Sequence, residues 1–326
     1  MISLTGPSAR RTQERGSVRT FPALILSAGL LLSLAACSTG ANAADGCSDI
    51  TAPGNASESV DVTGDVGGAQ TVSFPSPLVA DSAELSTVVS NGDPDAAVAG
   101  FGGIVNVSYS VYDGQTGSAV GSPSTGLIAV SDTLPQGLQD ALACSSAGER
   151  VALVLPNEDA ATIVSGAPGS IVMVFDVDRT YPNRASGAPQ PAQSGFPAVV
   201  RDENGRPGIT VTSTEAPDAA ESALLIEGDG DTVADGDALL VQATSVSYAE
   251  PRRTSVNTWE DGSPQLWLAS DDTAQTSGSA QPAGIAQFLV GKPVGSQVLV
   301  VLPTDDGSSA TAWVVDILGV VPPAAG

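Results

Sequence analysis

The sequence predicts an α+β protein of two tandem domains, each an antiparallel half-barrel sheet that wraps one short helix. The first observation is a phrase that occurs twice: residues 142–156 read LACSSAGERVALVLP and residues 289–303 read LVGKPVGSQVLVVLP. The second is strand patterning, since short alternating runs such as VNVSYSVY (105–112) are bounded by Gly, Asp, Asn and Pro. The third is one short segment in each copy with helical spacing of its apolar residues.

The duplication extends well beyond that phrase. Four stretches of the first half correspond in order to four stretches of the second half, with insertions or deletions in the loops between them: 71–89, 88–114, 134–159 and 171–179 against 208–226, 224–250, 281–306 and 312–320. A repeat of this length far exceeds the unit of a solenoid. We therefore expect two whole domains rather than an array of small repeats.

The helical segment of each copy has a single apolar face. In the first copy, GLQDALA places Leu138, Ala141 and Leu142 at positions i, i+3 and i+4. In the second copy, GIAQFLVG gives the same spacing to Ile285, Phe288 and Leu289. Residues at this spacing lie on one side of a helix, so each segment is expected to pack against its sheet.

Composition places the domain boundaries. Residues 182–197 (PNRASGAPQPAQSGFP) are rich in Pro, Gly, Ala and Ser, which is typical of a linker. The prediction is a lipoprotein signal peptide over 1–36, an N-terminal tail over 37–66, a first domain over 67–181, a linker over 182–197 and a second domain over 198–326.

The start of the chain is typical of an exported lipoprotein. Four arginines within residues 10–19 precede an apolar run over 21–36, which is short for a membrane span but fits the hydrophobic part of a signal peptide. The run ends in Leu-Ala-Ala-Cys, which resembles a lipobox, so Cys37 is the predicted lipidation site. The alternative is an ordinary secreted Cys beside an Ala-x-Ala-like cleavage site. We expect a lipid anchor at the outer face of the cell membrane.

Two further cysteines, Cys47 and Cys144, are predicted to form a disulfide. In an oxidising extracytoplasmic compartment, a remaining pair of thiols most simply forms a bond. A zinc or redox site would need more ligands or a Cys-x-x-Cys motif, and the sequence has neither.

Composition also excludes several classes of function. The chain has no His, which rules out His-based catalytic triads and His-ligated metals. Its formal net charge is -24 and its one Lys is Lys292, so the surface repels nucleic acid and anionic lipid headgroups. We expect no catalytic nucleophile, no cofactor and no metal. The acidity itself is typical of a solvated surface rather than of an acidic recognition site.

The order of these features resembles FKBP-type peptidyl-prolyl cis-trans isomerases over roughly residues 70–325. The shared features are a strand, an Asp-Gly loop, a stretch xxGxxxALxxxxVGSxVxVVxP and a final strand of the form [VF]-[VF]-D-[VI]. VGSQVLVVLP (294–303) with WVVDILGV (313–320) downstream is similar to tandem-FKBP lipoproteins of actinobacteria. The resemblance implies FKBP-like domains that bind prolines of client proteins outside the membrane.

The family's substrate pocket is a box of aromatic and apolar side chains, and the resemblance carries part of it onto the first domain. Tyr109, Leu134, Leu138 and Phe175 stand at family pocket positions and are the predicted substrate-binding residues. The family's Phe-Asp pair is missing, and its loop Tyr falls on Ala161. Tyr109 and Phe175 are also what an ordinary strand core contains.

The second domain departs further from the family's box. Ile285 matches the helix floor, and Trp267 is a predicted wall residue; Trp259 could cap a remodelled pocket, while Trp267 between two leucines also fits a core position. The other pocket positions hold Ala243, Ser255-Val256, Gln281-Pro282, Ser308 and Val315.

Two functions stay open on the sequence. The first is a lipid-anchored isomerase of weak activity that assists protein folding outside the membrane. The second is an FKBP-fold chaperone or protein-binding module that has lost catalysis, because so few of the box residues are present. Any isomerase activity is expected in the first domain.

Overall fold

The computed structural model describes residues 47–93, 96–213, 215–260, 262–270 and 279–322. Cys37 and the predicted signal peptide lie outside the described residues. Within the described part of the chain, no helix is both long enough and apolar enough to cross a membrane.

An N-terminal segment packs on the first sheet. It consists of helix α1 (Asn55–Glu58) and a hairpin of strands β1 (Asp61–Thr63) and β2 (Thr71–Ser73). Glu84 holds the start of α1, because its Oε2 accepts hydrogen bonds from the N–H groups of Ala56 (2.7 Å) and Ser57 (2.9 Å). The first N–H groups of a helix have no partner within it, so this carboxylate fixes where the segment docks.

The first sheet is antiparallel and carries two helices in its connections. Its elements are β3 (Glu84–Val89), β4 (Ile104–Asp113), β5 (Ser124–Ala129), α2 (Gln136–Ala143), β6 (Arg150–Leu155), α3 (Asn157–Ile163) and β7 (Ile171–Tyr181). The strands lie in the order β3-β6-β7-β4-β5. All of β6 is buried, which explains why its sequence is an almost continuous apolar run.

The second sheet repeats this order. Its elements, with a preceding hairpin, are β8 (Ala188–Pro189), β9 (Ala198–Arg201), β10 (Pro207–Thr210), β11 (Glu221–Glu227), β12 (Ala238–Ser247), β13 (Thr254–Asn257), β14 (Gln265–Leu268), α4 (Ala286–Leu289), β15 (Gln297–Pro303) and β16 (Ala310–Val321). The order is β13-β12-β16-β15-β11-β8, β14 also pairs with β12, and β9 and β10 form a separate hairpin. The strands β11, β15, β16 and β12 thus follow the order of β3, β6, β7 and β4, and the repeat in sequence is a repeat of topology.

The predicted α+β class, two half-barrels each wrapping one helix, is wrong. Strands make up 39% and helices 9% of the described residues, in several sheets with four short helices. One cause of the low helix content lies at α4. Gly284 (φ 76°) and Gly291 (φ 78°) adopt left-handed conformations on either side of the predicted helix. A left-handed residue ends an α-helix, so only four residues remain helical.

Each sheet is covered by apolar residues on both faces, which is the second cause. On the face that we call the inner face, the first sheet packs against α2, with Leu153 and Phe175 touching Leu138 and Leu142 in one cluster. On the opposite, outer face, a second cluster joins the sheet to Val62 and other residues of the N-terminal segment. The β9–β10 hairpin covers the outer face of the second sheet in the same way. The sheets are therefore middle layers, not half-barrels around a helix.

The chain between the two sheets is hydrogen-bonded to the second sheet. The Ala185 N–H donates to Asp316 Oδ2 (2.8 Å), the Ser186 N–H donates to the Gly295 carbonyl (2.9 Å), and β8 pairs with β11. Tyr181, which ends β7, is buried with Leu318 in a small cluster shared by the two sheets. The predicted linker 182–197 therefore contains a strand of the second sheet, and the predicted domain boundaries stay a prediction.

The predicted disulfide is confirmed. Cys47 and Cys144 are bonded, with their Cα atoms 5.6 Å apart and a separation of 97 positions in sequence. Cys144 is the C-cap of α2, so the bond ties the N-terminal segment to the end of the helix on the inner face. Closing a loop of this length restricts the unfolded chain and stabilises the folded one.

Candidate functional site

The inner face of the first sheet carries a pair of aromatic rings. Tyr109 on β4 and Phe175 on β7 are directly opposite each other in the ladder. Their ring centroids are 5.9 Å apart, and their planes are inclined by 34°. Opposite residues of an antiparallel pair share one face, so the register of these two strands brings the rings together. Phe175 is buried, whereas Tyr109 is half-buried and keeps an exposed edge.

Helix α2 supplies the floor beside this pair. Pro135 is its N-cap, and the Pro135 carbonyl accepts hydrogen bonds from the N–H groups of Leu138 (2.9 Å) and Gln139 (3.0 Å). This start turns Leu138 into the core and leaves Leu134 half-buried at its edge. The structure thus places Tyr109, Leu134, Leu138 and Phe175 in one apolar cluster.

Further apolar side chains, four aliphatic and one aromatic, complete the cluster, and the sequence analysis did not identify them. The half-buried residues Phe101, Val111, Ile128, Ile163 and Val164 pack against it. Ala161, to which the family's loop Tyr maps, is exposed on α3. The spacing of Ala160, Ile163 and Val164 at i, i+3 and i+4 is the signal that could have found the apolar side of α3.

The matching place in the second domain is filled by tryptophan. Trp267 lies opposite Leu239 in the ladder, as Ile128 lies opposite Val105 in the first sheet. Trp267 is 1% exposed and packs edge-on against Trp313, with ring centroids 5.9 Å apart. Ile285 is fully buried in the same cluster. The two predicted site residues here, Ile285 and Trp267, are interior residues.

Trp259 lies away from that cluster, between strands β13 and β14. It is half-buried, and its Nε1 has no hydrogen-bond partner among the described residues. The other predicted positions of the second domain divide between core and surface. Ala243 and Val315 are fully buried, whereas Ser255 and Ser308 are exposed.

The described side chains of the site offer an apolar surface. No group of three or more His, Cys, Asp or Glu residues able to hold a metal occurs in the described part of the chain. Cavities of about 610, 770 and 420 Å³ open on the described surface, and none has Tyr109 or Phe175 in its lining. The exposed edge of the aromatic pair is the Tyr109 ring, because Phe175 is buried.

Comparison with known proteins gives structural likenesses only. No protein-family model matches the chain, and no curated protein matches it. The chain is similar to a crystal structure of the three FKBP domains of wheat FKBP73, at a TM-score of 0.30 and 15% identity, over 73% of this chain and 94% of that one. It is also similar to two structures from Arabidopsis thaliana. One is a multi-domain immunophilin (TM-score 0.27, 12% identity, 37% of this chain and 50% of that one). The other is the N-terminal domain of FKBP42 (TM-score 0.27, 13% identity, 42% and 100%). Likenesses of this size carry no argument about activity.

Proposed function

We propose that this chain is a lipid-anchored, extracytoplasmic FKBP-type protein whose first domain binds prolyl segments of client proteins and isomerises them weakly. The observation that carries the proposal is the Tyr109–Phe175 ring pair, which lies beside the Leu138 floor at the edge of α2. All three residues stand at positions that the sequence resemblance assigns to the substrate pocket.

Prolyl isomerisation needs no reactive group from the protein. Rotation about an X-Pro amide is opposed by a barrier of about 18–20 kcal/mol, because resonance is lost in the twisted state. A dry apolar surface favours the twisted amide over the planar one that water solvates well. Aromatic faces also suit the proline ring. No nucleophile, metal or cofactor enters this mechanism. The first domain lacks the family's Phe-Asp pair and loop Tyr, so its pocket shields the amide less well from water, which is why we propose weak activity.

A second candidate function is a binding module without catalysis, and the second domain favours it. Trp267 stands where the first domain has the half-buried Ile128, and it packs against Trp313 in the buried cluster that also contains Ile285. A buried indole at this place leaves less apolar surface for a prolyl ring than the first domain offers. We propose that the second domain takes no part in isomerisation.

An isomerisation assay on the full chain tests both statements. Phe175→Leu keeps an apolar side chain but removes the ring, so we expect kcat/KM for a prolyl peptide to fall about five- to tenfold, as one lost aromatic contact of about 1 kcal/mol or slightly more implies. Val315→Ala is the matched control, because Val315 occupies the corresponding position of the second domain and is expected to leave kcat/KM unchanged. Far-UV circular dichroism checks that both variants are folded. Full activity of Phe175→Leu, or an equal loss in Val315→Ala, would contradict the proposal.

The lipid anchor has its own test. In a bacterial host that processes lipoproteins, the wild-type chain should sediment with membranes, and Cys37→Ala should be released into the soluble fraction. Cys47→Ala is the control, since it also removes a cysteine near the N-terminus but leaves the lipobox intact. A Cys37→Ala variant that sediments as completely as the wild type would refute lipidation at this residue.

A further inference from the structure

A cleft of about 610 Å³ opens on the outer face of the second sheet, beneath the β9–β10 hairpin. We call it the arginine cleft, and its wall is formed by Arg201, Arg206 and Arg252 with Val200, Pro207, Ile209, Val246 and Pro251. Its volume lies within the range of small-molecule sites, roughly 300–1,000 Å³. It is on the opposite side of the sheet from Trp267 and Ile285, because β12 alternates its side chains between the two faces.

The cleft concentrates positive charge in a strongly acidic chain. The chain has 36 Asp and Glu against 12 Lys and Arg, and four of those arginines lie within the predicted signal peptide. Three of the remaining eight basic residues line this one cleft. Two carboxylates also line it, Asp202 and Glu260. Asp202 is engaged with its own turn, accepting hydrogen bonds from the N–H groups of Asn204 and Arg206.

Asp202 and Glu260 do not neutralise all of the positive charge in the arginine cleft. Arg206 reaches Glu260 at 3.6 Å with both side chains about half exposed, which is a weak pairing. Arg201 donates its Nε–H to Gln297 Oε1 (2.7 Å), which orients its guanidinium, and its positive charge also acts on the buried carboxyl of Asp316. Arg252 is exposed at the rim. Guanidinium groups held this way present forked N–H donors that match carboxylate and phosphate oxygens.

The base of the cleft holds polar atoms that the protein does not satisfy. Thr244 is 3% exposed, and neither its Oγ1 nor Asn257 Oδ1 has a hydrogen-bond partner among the described residues. Both residues line the cleft. Buried polar groups are nearly always paired, so two unpaired ones in the wall of one cleft point to a partner that binds there.

The first domain shows what the same place looks like when it is closed. Ser110 corresponds to Thr244, and its Oγ accepts a hydrogen bond from Gln70 Nε2 (3.0 Å), which comes from beside the β1–β2 hairpin. Next to it, Phe74 packs edge-on against Tyr112, with ring centroids 6.3 Å apart. In the second domain Val246 stands where Tyr112 does. At this position the outer face is thus covered in the first domain and open in the second domain.

We propose that the arginine cleft binds a small organic anion, with a carboxylate or phosphate head on the guanidinium groups and an apolar body against Val246 and Ile209. The hydroxyl of Thr244 donates a further hydrogen bond to the head group at the base. The ligand is anionic because three of the eight basic residues outside the predicted signal peptide line this one cleft. It has an apolar body because valine, proline and isoleucine line the rest of the wall.

Calorimetric titration of the full chain tests the charge and shape of the ligand. The ligands added are phenyl phosphate, phenylacetate, inorganic phosphate and phenol. We expect at least one of the two aromatic anions to bind with a Kd of about 1 mM or tighter, as the ligand efficiency of so small a molecule implies. Inorganic phosphate and phenol should each bind at least tenfold more weakly, because inorganic phosphate has no apolar body and phenol has no anionic head. Phenol binding as tightly as the anions, or no heat from either aromatic anion, would overturn the proposal.

Two variants locate the site. Arg252→Gln should weaken binding of the better aromatic anion at least tenfold. Arg253→Gln is the matched control, because Arg253 lies in the same turn but does not line the cleft and is 78% exposed. An equal loss in both variants would mean that only the general field of the protein attracts the anion, and the site would be refuted.

Thr244→Val probes the unpaired hydroxyl separately. It should weaken binding several-fold without lowering Tm, since the free protein gives that hydroxyl no partner to lose. Ser110→Ala, the corresponding change in the first domain, should lower Tm because it breaks the bond from Gln70. A Thr244→Val variant with unchanged affinity would remove the base of the cleft from the site and contradict the proposal.

Discussion

Replacing Arg150 with Met should lower the free energy of unfolding by about 3–5 kcal/mol. Arg150 is fully buried, and it holds the buried Asp176 through two bonds, Nε to Oδ1 (2.5 Å) and Nη2 to Oδ2 (2.7 Å). The same guanidinium donates to the carbonyls of Gly64 and Asp65 in the loop of the β1–β2 hairpin. Methionine would fill most of the volume but leave a buried carboxylate without its cation and two carbonyls without their donor.

Urea unfolding can assign this loss to the first domain. The chain's three tryptophans, Trp259, Trp267 and Trp313, all belong to the second domain, so tryptophan fluorescence follows the second domain and far-UV circular dichroism follows both. The dichroism transition of Arg150→Met should shift to lower urea, on the order of 2 M, and by more than the fluorescence transition does.

Arg179→Met is the control, because Arg179 lies on the same strand as Asp176 but is exposed; it should change stability by less than about 0.5 kcal/mol. In the double variant Arg150→Met/Asp176→Asn, much of the lost stability should return, since the unpaired charge is gone. A loss below about 1 kcal/mol in Arg150→Met would show that the ion pair does not hold the hairpin.

The sequence predicted the repeat and most of the strands because both leave local patterns. Alternating runs such as residues 105–112 became strands, and the two copies of the Gly-turn-strand phrase became β6 and β15 at matching places in their sheets. The pairing of Cys47 with Cys144 followed from elimination, since the compartment and the count left one partner each.

The predicted α+β fold class was wrong because of contacts between distant segments, which no local sequence pattern shows. The segments before each sheet form hairpins whose apolar residues cover an outer face, and their periodicity does not say which surface they will cover. The site was predicted only in part for a similar reason. Cross-strand register placed Trp267 opposite Leu239, where it fills the second domain's inner face, and register depends on partners that are distant in sequence.

Position 150 also shows how the two copies diverged beneath a shared topology. Its counterpart in the second sheet is Gln297, so the buried carboxylate of Asp316 faces an amide instead of a guanidinium. The Asp316 carboxylate accepts hydrogen bonds from Gln297 Nε2 (2.6 Å) and from the Ala185 N–H (2.8 Å). Burial raises the pKa of the Asp316 carboxyl from 3.8 to about 6, against the lowering effect of these hydrogen bonds and of Arg201. The second domain therefore contains a carboxyl with a pKa of about 6. It lies beside Ala185, in the segment that connects the first sheet to the second.

The last prediction is that Asp316 makes the second domain less stable as the pH rises from 4 to 7. The pKa of this group is higher in the folded chain, so the folded state binds the proton more tightly than the unfolded state does. The stabilisation is complete below about pH 4 and is lost as the pH passes through 6; a difference of this size corresponds to on the order of 3 kcal/mol.

The measurement is the urea midpoint by tryptophan fluorescence at each pH, for the wild type and for Asp316→Asn, whose amide stays neutral throughout. The wild type should lose stability relative to Asp316→Asn across this interval, because only the wild type must bury a charge at pH 7. Asp306→Asn serves as the control. Hydrogen bonds from Thr304 and Ser308 lower the pKa of Asp306 to about 2, so in the folded chain this carboxyl stays ionised between pH 4 and 7. In the unfolded chain it is protonated only near pH 4, so its replacement should leave the profile parallel to the wild type above about pH 5. If the Asp316→Asn profile ran parallel as well, the carboxyl of Asp316 would be ionised in the folded chain across the whole interval, and the hydrogen bonds from Gln297 and Ala185 would offset the cost of its burial.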